Sequence, residues 1–259
     1  MAAKKTQSKR KTKLKTPVDL LLLGKVAVVT GASRGIGQAI ARTLAYEGCA
    51  VVITGRDRPT LEKSATRISR KARGRGKIVP LVCDVRDPES VASLFAKVKQ
   101  KFRKLDILVN NAGITQPVVS VEETSLEVWH DVIATDLTGI FLCTRAALPL
   151  MKTGTTIVNN LSAAAVQVFP NYAAYSAAKR GALGFTLSLR EELIPRGIRV
   201  TALMPGATAT DMWDQIMPNA PREKMMEVES AAQAVLYAVL LPPNANLSEL
   251  VLVPTGGAL

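Results

Sequence analysis

The sequence is poor in the residues that build metal centres, disulfide frameworks and stacking surfaces. It has one histidine and three cysteines in 259 residues, and only 4% of its residues are aromatic. The three cysteines (Cys49, Cys83 and Cys143) are far apart and form no C-x-x-C pair, which indicates buried thiols in a reducing compartment. A single histidine argues against His-rich metal sites and most His-dependent hydrolases, and scarce aromatics argue against RNA-stacking proteins. We therefore expect no metal, and no nucleic acid as the main partner.

Long apolar runs are also missing. The longest early run, Leu20 to Leu23, is far shorter than the roughly 20 residues of a membrane helix or the roughly 7–15 of a secretory signal. Hydrophobic residues make up 47% and charged ones 21% of the chain, which excludes a disordered chain. We expect a soluble cytoplasmic protein without a membrane partner, and organellar targeting by the N-terminal segment stays open.

The net charge of +13 is unevenly placed along the chain. Seven cations precede the first acid, Asp19: Lys4, Lys5, Lys9, Arg10, Lys11, Lys13 and Lys15. Because this segment lacks apolar periodicity, we predict a disordered basic arm over residues 1–17 and one folded domain over residues 18–259. Such an arm can attract nucleic acid or an anionic membrane, can act as a targeting peptide, or can simply be a solvated tail.

From Lys25 onward, short aliphatic runs alternate with longer amphipathic stretches. The runs are aliphatic throughout rather than alternating, as in a parallel sheet that is covered on both faces. The predicted strands are Val26–Thr30, Ala50–Thr54, Ile78–Val82, Ile107–Val109, Thr156–Asn159, Arg199–Leu203 and Leu250–Val253. Seven strands separated by helices predict a single-domain α/β fold, a doubly wound seven-stranded parallel sheet with helices on both faces.

The turn after the first strand is rich in glycine. Gly31, Gly35 and Gly37 follow the spacing G-x3-G-x-G and precede an amphipathic helix, a setting that favours a pyrophosphate at the helix start. The same stretch fits the G-x-S-x-G elbow of a serine hydrolase, with Ser33 as nucleophile. That alternative needs a histidine in a late loop, but the only histidine, His130, lies in a predicted helix. The turn therefore predicts a nucleotide site.

A second chemical signal lies around Tyr175. Tyr175 and Lys179 are four residues apart on a predicted helix and share one face. A phenol with an ordinary pKa of about 10 is a poor acid at neutral pH, but a neighbouring ammonium group stabilises the phenolate. Ser162, which we predict at the end of the fifth strand, can hydrogen-bond a substrate oxygen beside the tyrosine. The three residues can stabilise and protonate a carbonyl oxygen that receives hydride.

Together these segments resemble the short-chain dehydrogenase/reductase family. The matching segments, in order and spacing, are Thr30-Gly31-x3-Gly35-Ile36-Gly37, Asn110-Asn111-Ala112-Gly113, Ser162, Tyr175-x3-Lys179 and Pro205-Gly206. The match covers residues 24–253. The resemblance implies a Rossmann-like fold, Ser162 as the anchor of the substrate oxygen, Tyr175 as general acid/base and Lys179 as a ligand of the nicotinamide ribose.

The resemblance also implies a set of cofactor-binding residues. Asn111 and its neighbours would lie beside the adenosine, Asp84 would contact the adenine edge, and the turn at Pro205 would hold the carboxamide. The complete set is Gly31, Ser33, Arg34, Gly35, Ile36, Gly37, Arg56, Asp84, Val85, Asn111, Ala112, Gly113, Tyr175, Lys179, Pro205, Gly206, Thr208 and Thr210.

One position departs from the family pattern. Many members place an asparagine in an N-L-x-G segment of the long helix before the fifth strand, where this chain has Asp136. In the family that residue helps to hold a helix kink and a water-linked proton path to the lysine. Asp136 can keep that geometry, or its charge can pair with Lys179 and alter the pH profile. We count it with the catalytic residues; a weakened enzyme is the alternative.

The second strand indicates which cofactor is used. An NAD site places a carboxylate at the end of this strand, whereas here the strand ends with Ile53-Thr54-Gly55-Arg56, which contains no acid. Arg56 and Arg34 can clamp a 2′-phosphate. Asp57 competes for the role of the acid, but its place before Arg58-Pro59 is typical of a helix cap. We predict NADP(H) as the cofactor.

Substrate contacts are expected from the loops at the same end of the sheet. Met212 and Trp213 suit an apolar, adaptable pocket, although the Met-rich stretch can equally pack a helix pair onto the core; Tyr172 forms the opposite wall. Residues 241–253 resemble the segment of broad-range 3-hydroxy acid and aldehyde/ketone reductases. We predict an NADPH-dependent reductase of ketones or 3-oxo compounds, reversibly oxidising secondary alcohols; the alternative is an inactive nucleotide-sensing protein of the same fold.

Small residues on the predicted helix around Tyr175 permit close helix packing. With the family resemblance, they suggest a homotetramer or homodimer. These residues are Ala174, Ala177, Ala178, Gly181, Ala182 and Gly184.

Overall fold

The computed structural model describes residues 20–257. The arm predicted over residues 1–17, and its boundary with the domain, lie outside the described residues. All seven predicted strands form, each within two residues of its expected bounds. They are β1 Val26–Val29, β2 Ala50–Gly55, β3 Ile78–Val82, β4 Ile107–Asn110, β5 Thr156–Asn160, β6 Arg199–Pro205 and β7 Glu249–Leu252.

The strands pair in parallel in the order β3-β2-β1-β4-β5-β6-β7. The chain builds outward from β1 to β3, returns to the other side of β1, and continues outward to β7. Adjacent loops after β1 and β4 therefore leave in opposite directions, which opens a crevice at the carboxyl ends of these central strands. The predicted doubly wound, Rossmann-like α/β fold is confirmed.

Helices cover both faces because the strands carry aliphatic side chains on both sides. The helices are α1 Gly35–Tyr46, α2 Arg58–Lys71, α3 Pro88–Phe102, α4 Leu126–Ile133, α5 Gly139–Ala147, α6 Ala173–Leu193, α7 Trp213–Ile216 and α8 Val228–Leu240. One buried cluster joins the sheet to α1, α2 and α8, and a second joins it to α3, α5 and α6. The four-residue α7 was not predicted.

The long helix predicted before β5 is interrupted. A π-helical turn, Ala134–Thr138, separates α4 from α5, and a 3-10 turn follows at Leu148–Leu150. By length and mean hydropathy alone (1.3), the stretch Leu126–Leu150 could cross a membrane. Half of it is buried within the domain, where it packs against α3 and α6, so we assign it as a core helix.

The expectation that the small residues of α6 serve subunit contact is wrong for most of them. Ala174, Ala178 and Ala182 are fully buried against the core of their own domain. A Cβ atom on Gly181 would lie 3.0 Å from Leu137 Cδ2, so this glycine also accommodates an internal neighbour. The small side chains let α6 approach the sheet and the π-helical turn, and Gly184 is exposed.

Candidate active site

A cavity of about 880 Å³ opens at the carboxyl edge of the sheet, where the crevice was expected. Every residue that we predicted to bind cofactor or substrate lines it, as do Ser162, Tyr175 and Lys179. Asp136 is the exception among the predicted residues. It is fully buried behind Lys179 and does not reach the cavity wall.

The glycine turn forms one wall because no side chain fits there. Gly31 has a φ of +63°, and a Cβ atom on it would lie 2.7 Å from Ala112 Cα. A Cβ atom on Gly37 would lie 2.3 Å from Asn111 Nδ2 and 2.5 Å from the Gly31 carbonyl oxygen. Since α1 begins at Gly35, its free N–H groups face this wall. The turn is therefore a cradle of the kind that holds a pyrophosphate.

The side chain of Asn111 holds this turn in place. Its Nδ2 atom donates to the carbonyl oxygens of Thr30 (2.9 Å) and Gly31 (3.1 Å), and its Oδ1 atom accepts from Asn160 Nδ2 (2.9 Å). Thr30 Oγ1 accepts from the N–H groups of Asn111 and Ala112. Asn111 thus links the loops after β1, β4 and β5.

Beyond the turn, two arginines reach the cavity at the end of β2. Arg34 and Arg56 line it and are exposed; Asp57, two residues after the end of β2, also lines it. Asp57 Oδ2 accepts from the N–H of Thr60 (2.8 Å), so Asp57 caps α2 as expected. Ser33 Oγ lies so close to Gly55 that a Cβ atom there would be 2.2 Å away. The hydrolase alternative fails here, because His130 is exposed on α4 and does not line the cavity.

Asp84 lines the cavity, but its carboxylate is already engaged. Arg86 donates to it from Nη2 (2.8 Å) and Nε, and its Nη1 reaches Asp131 (3.0 Å). The hydrogen bond from Arg86 holds the pKa of Asp84 below its usual range. Sequence reasoning missed Arg86, which also lines the cavity; its place two residues after Asp84 was the available signal.

Tyr175 and Lys179 are both buried on one face of α6 at the floor of the cavity. Lys179 Nζ lies 5.3 Å from the centre of the Tyr175 ring. Ser162 faces them from just beyond β5, two residues after Asn160, the last residue of the strand, and not at the strand end itself as we predicted. Ser162 Oγ accepts from the N–H of Ala164 (3.1 Å), which leaves its own proton free to donate.

A buried glutamine positions Tyr175. Gln116 Oε1 accepts from the backbone N–H of Tyr175 (2.7 Å), which has no partner within the helix so close to its start. The sequence pattern carries no signal for this role, because Gln116 belongs to the loop after β4, 59 residues away.

Tyr172 is the nearest alternative phenol. Its ring centre is 5.0 Å from that of Tyr175, and its hydroxyl hydrogen-bonds with Thr115 Oγ1. Burial raises the pKa of Tyr172 to about 12, so this phenol is a weaker acid than usual. Tyr172 therefore lies in the cavity wall, and we do not assign it as the proton donor.

Asp136 and Lys179 form a buried ion pair. Asp136 Oδ2 lies 2.9 Å from Lys179 Nζ, and Oδ1 accepts from the N–H of Ile114 (2.9 Å). A Cβ atom on Gly113 would lie 2.9 Å from Asp136 Oδ2, so only glycine leaves room for the pair. Burial by itself would lower the pKa of Lys179, but Asp136 and Tyr175 raise it overall, so the ammonium stays protonated.

The far end of the cavity is apolar. Met212, Trp213 and Met217 line it, and Trp213 Nε1 donates to the carbonyl oxygen of Thr208 (3.0 Å). Met225, from the same Met-rich stretch, is buried away from the cavity. Part of the stretch thus lines the cavity and part of it packs into the core.

Comparisons with known proteins agree with this geometry. Residues 25–221 match the family model described as short chain dehydrogenase. The chain is 36% identical over 235 residues to a 3-oxoacyl-[acyl-carrier-protein] reductase of Synechocystis sp., covering 88% of this chain and 94% of the relative. It is 37% identical over 192 residues to a 3beta-hydroxysteroid dehydrogenase of Mediterraneibacter gnavus, covering 74% and 68%.

Among solved structures, an alcohol dehydrogenase from the archaeon Thermococcus sibiricus complexed with 5-hydroxy-NADP superposes with a TM-score of 0.81. The identity is 32%, and the match covers 89% of this chain and 97% of that one. The family model spans most of the chain, and the match to the Synechocystis reductase covers 88% of it. The chain therefore belongs to the short-chain dehydrogenase family and is an oxidoreductase.

Proposed function

We propose that this chain is an NADPH-dependent reductase of ketones or 3-oxo compounds that reversibly oxidises secondary alcohols. The observation that carries the proposal is the buried Tyr175–Lys179 pair on α6, with the Ser162 hydroxyl facing it across the same cavity. A phenol beside an ammonium group and a free serine hydroxyl is a set of donors suited to a carbonyl oxygen.

The residues present fit a nicotinamide cofactor. The cradle that a Cβ atom would fill at Gly31 and Gly37 suits the pyrophosphate, and Lys179, which lines the same cavity, would bind the ribose hydroxyls. Arg34 and Arg56, with Asp57 engaged as the cap of α2, favour the 2′-phosphate of NADP over the free hydroxyls of NAD. When bound, the reduced cofactor supplies the hydride.

The protein's own residues supply the proton and hold the substrate. Ser162 and Tyr175 donate hydrogen bonds to the substrate oxygen and fix the carbonyl in the cavity. Tyr175 gives its proton to that oxygen as negative charge develops, and the Lys179 ammonium stabilises the phenolate that remains. Asp136 holds Lys179 in place and protonated. In the oxidative direction the same groups act in reverse, with the Tyr175 phenolate as base.

The apolar far end of the cavity supports a substrate with a hydrocarbon body. Met212 and Met217 have flexible thioether side chains that adapt to ligands of different shape. The relatives named as reductases of 3-oxoacyl groups and as a dehydrogenase of a steroid alcohol act on substrates of this kind.

We also propose that the protein is a homodimer or homotetramer. Large apolar side chains are exposed on α5 and α8, at Phe141 and Tyr237, and on the edge strand at Val251. A light-scattering mass near two or four times 27.7 kDa would support the proposal, and a monomer mass would contradict it.

The experiment is a turnover assay of the purified protein with NADPH or NADH and a panel of 3-oxo esters, aldehydes and cyclic ketones. We expect oxidation of NADPH with at least one ketone and much slower oxidation of NADH. Tight binding of NADPH without turnover on any member of the panel would favour the cofactor-sensing alternative, whose support is the departure at Asp136. Failure to bind either cofactor would contradict both.

A further inference from the structure

The charged residues are unevenly divided between the two edges of the sheet. Within the described residues, the connections at the carboxyl edge, which holds the active site, carry five cations and nine acids. The connections at the amino edge, on the opposite side, carry only two acids among residues 20–257, Glu47 and Asp106. They carry eight cations, which we call the basic edge: Lys25, Arg73, Arg75, Lys77, Arg103, Lys104, Lys152 and Arg196.

Contacts within the molecule tie this surface together. Asp106 pairs with both Lys25 (3.3 Å) and Lys104 (2.9 Å), so its charge is already compensated. Arg75 lies over the ring of Tyr46, 4.0 Å from its centre, and Arg73 lies 6.0 Å from the same centre. Lys77, Arg103 and Lys152 are exposed and have no ion-pair partner among the described residues.

Two leucines project from the same surface. The turn before β1 buries Leu22 in the core but leaves Leu21 57% and Leu23 71% exposed. Lys104 Nζ donates to the carbonyl oxygen of Gly24 (2.7 Å), which fastens this turn to the basic edge. In the sequence, the seven cations of residues 1–17 come just before it.

We propose that the basic edge docks on the surface of an anionic lipid bilayer, with Leu21 and Leu23 inserted among the headgroups. Cations around exposed apolar side chains match a surface whose phosphates lie above hydrocarbon. A nucleic acid would match the charge but would leave the leucines without a partner. The active-site cavity, at the opposite edge, stays open to water in this orientation. The proposal revises the expectation of no membrane partner, which rested on the lack of a spanning segment.

The test is sedimentation of the full chain with phosphatidylcholine vesicles, with and without phosphatidylglycerol, at low and high salt. We expect binding only to the vesicles that contain phosphatidylglycerol, and weaker binding at high salt because exposed charges are screened. Leu21→Ser with Leu23→Ser should weaken binding about tenfold or more. Lys77→Gln with Arg103→Gln should weaken it about tenfold at low salt.

Matched variants at other surfaces serve as controls. Lys63→Gln with Lys224→Gln removes the same charge, and Val121→Ser with Leu126→Ser removes equally exposed apolar side chains. We expect both control pairs to bind vesicles like the parent chain, and circular dichroism checks that all variants are folded. The proposal is overturned if anionic vesicles are not bound, or if a control pair loses as much vesicle affinity as the matching leucine or cation pair. It is also overturned if neither the leucine variant nor the cation variant weakens binding to the vesicles. Tighter binding of duplex DNA or RNA than of the vesicles, with the same affinity in the leucine variant, would overturn it as well.

Discussion

Asp136 is the residue at which this chain departs from the family pattern, and the structure shows what surrounds its carboxylate. The carboxylate is fully buried, within 2.9 Å of Lys179 Nζ. Its contact with the N–H of Ile114 requires only an oxygen, which an asparagine also has. What aspartate adds is the charge that keeps Lys179 protonated.

The variant Asp136→Asn should therefore change the pH dependence of the reaction. Burial alone lowers the pKa of an ammonium group, so loss of the carboxylate lets the pKa of Lys179 fall. The alkaline limb of kcat/KM for ketone reduction, where Lys179 loses its proton, should then move to lower pH by about one unit or more. The measurement is the pH profile of kcat/KM for the two proteins.

Asp131→Asn is the control for this experiment. Asp131 lies on α4, has half of its side chain exposed and pairs with Arg86 rather than Lys179. Its variant should keep the parent profile. An unchanged alkaline limb in Asp136→Asn would show that Asp136 does not govern the protonation of Lys179.

Arg56 should decide between the two nicotinamide cofactors. A charge-assisted hydrogen bond contributes about 1.5–3 kcal/mol, so Arg56→Gln should raise the KM for NADPH about 10- to 100-fold and leave that for NADH nearly unchanged. Arg58→Gln is the matched control, because Arg58 is two residues away, pairs with Glu62 and does not line the cavity. Equal losses for both cofactors would mean that Arg56 does not contact a 2′-phosphate.

At the scale of elements, the glycine turn has no space for an added methyl group, whereas one glycine of α6 faces open space. Gly37→Ala should lower the free energy of unfolding by about 1–3 kcal/mol and abolish cofactor binding, because its Cβ atom would overlap Asn111 and Gly31. Gly184→Ala should raise it by about 0.5–1 kcal/mol, since Gly184 lies within a helix with nothing within 4 Å of the added atom. Denaturant unfolding measures both, and a stable Gly37→Ala would contradict the tight packing of this turn.

The strands could be predicted from the sequence because most of their residues are aliphatic, as burial on both faces requires at the centre of the sheet in β1 and β4. The edge strands β3 and β7 are partly exposed but keep the same short aliphatic runs. The residues that line the cavity could be predicted because their motifs stand directly after strands, and parallel strands bring these positions to one edge of the sheet. The family resemblance implied a helix kink at Asp136, and the structure has a π-helical turn there, Ala134–Thr138, but the residue pattern alone gives no sign of it. The role of Gln116 was missed for a similar reason, because its partner is remote in the chain.

The small residues of α6 could not be assigned to an interface from the sequence pattern. Alanine and glycine are compatible with contact between subunits and with close packing inside one domain, and composition cannot separate the two. The position of α6 against the sheet and against Leu137 shows that most of these residues pack inside the domain. By contrast, the four-residue spacing of Tyr175 and Lys179 is enough to place both side chains on one face, because helix geometry alone determines it.

At the scale of the whole molecule, the cavity-lining residues among residues 20–257 all lie between Gly31 and Pro254. Deleting residues 1–17 lowers the net charge from +13 by the seven cations of that segment and retains every one of these lining residues. We expect kcat/KM for ketone reduction to stay within about twofold of the full chain, because changes that leave a site intact have small effects. A loss of tenfold or more would place part of the site in that segment.

The proposed mechanism requires Tyr175 as the proton donor, and two neighbouring tyrosines allow a direct test of this role. Tyr175→Phe and Tyr172→Phe each remove one hydroxyl from the same end of α6. We predict that Tyr175→Phe lowers kcat about a thousandfold with NADPH binding preserved, and that Tyr172→Phe keeps kcat within about tenfold. Substantial turnover by Tyr175→Phe, or a larger loss in Tyr172→Phe, would contradict the proposed mechanism.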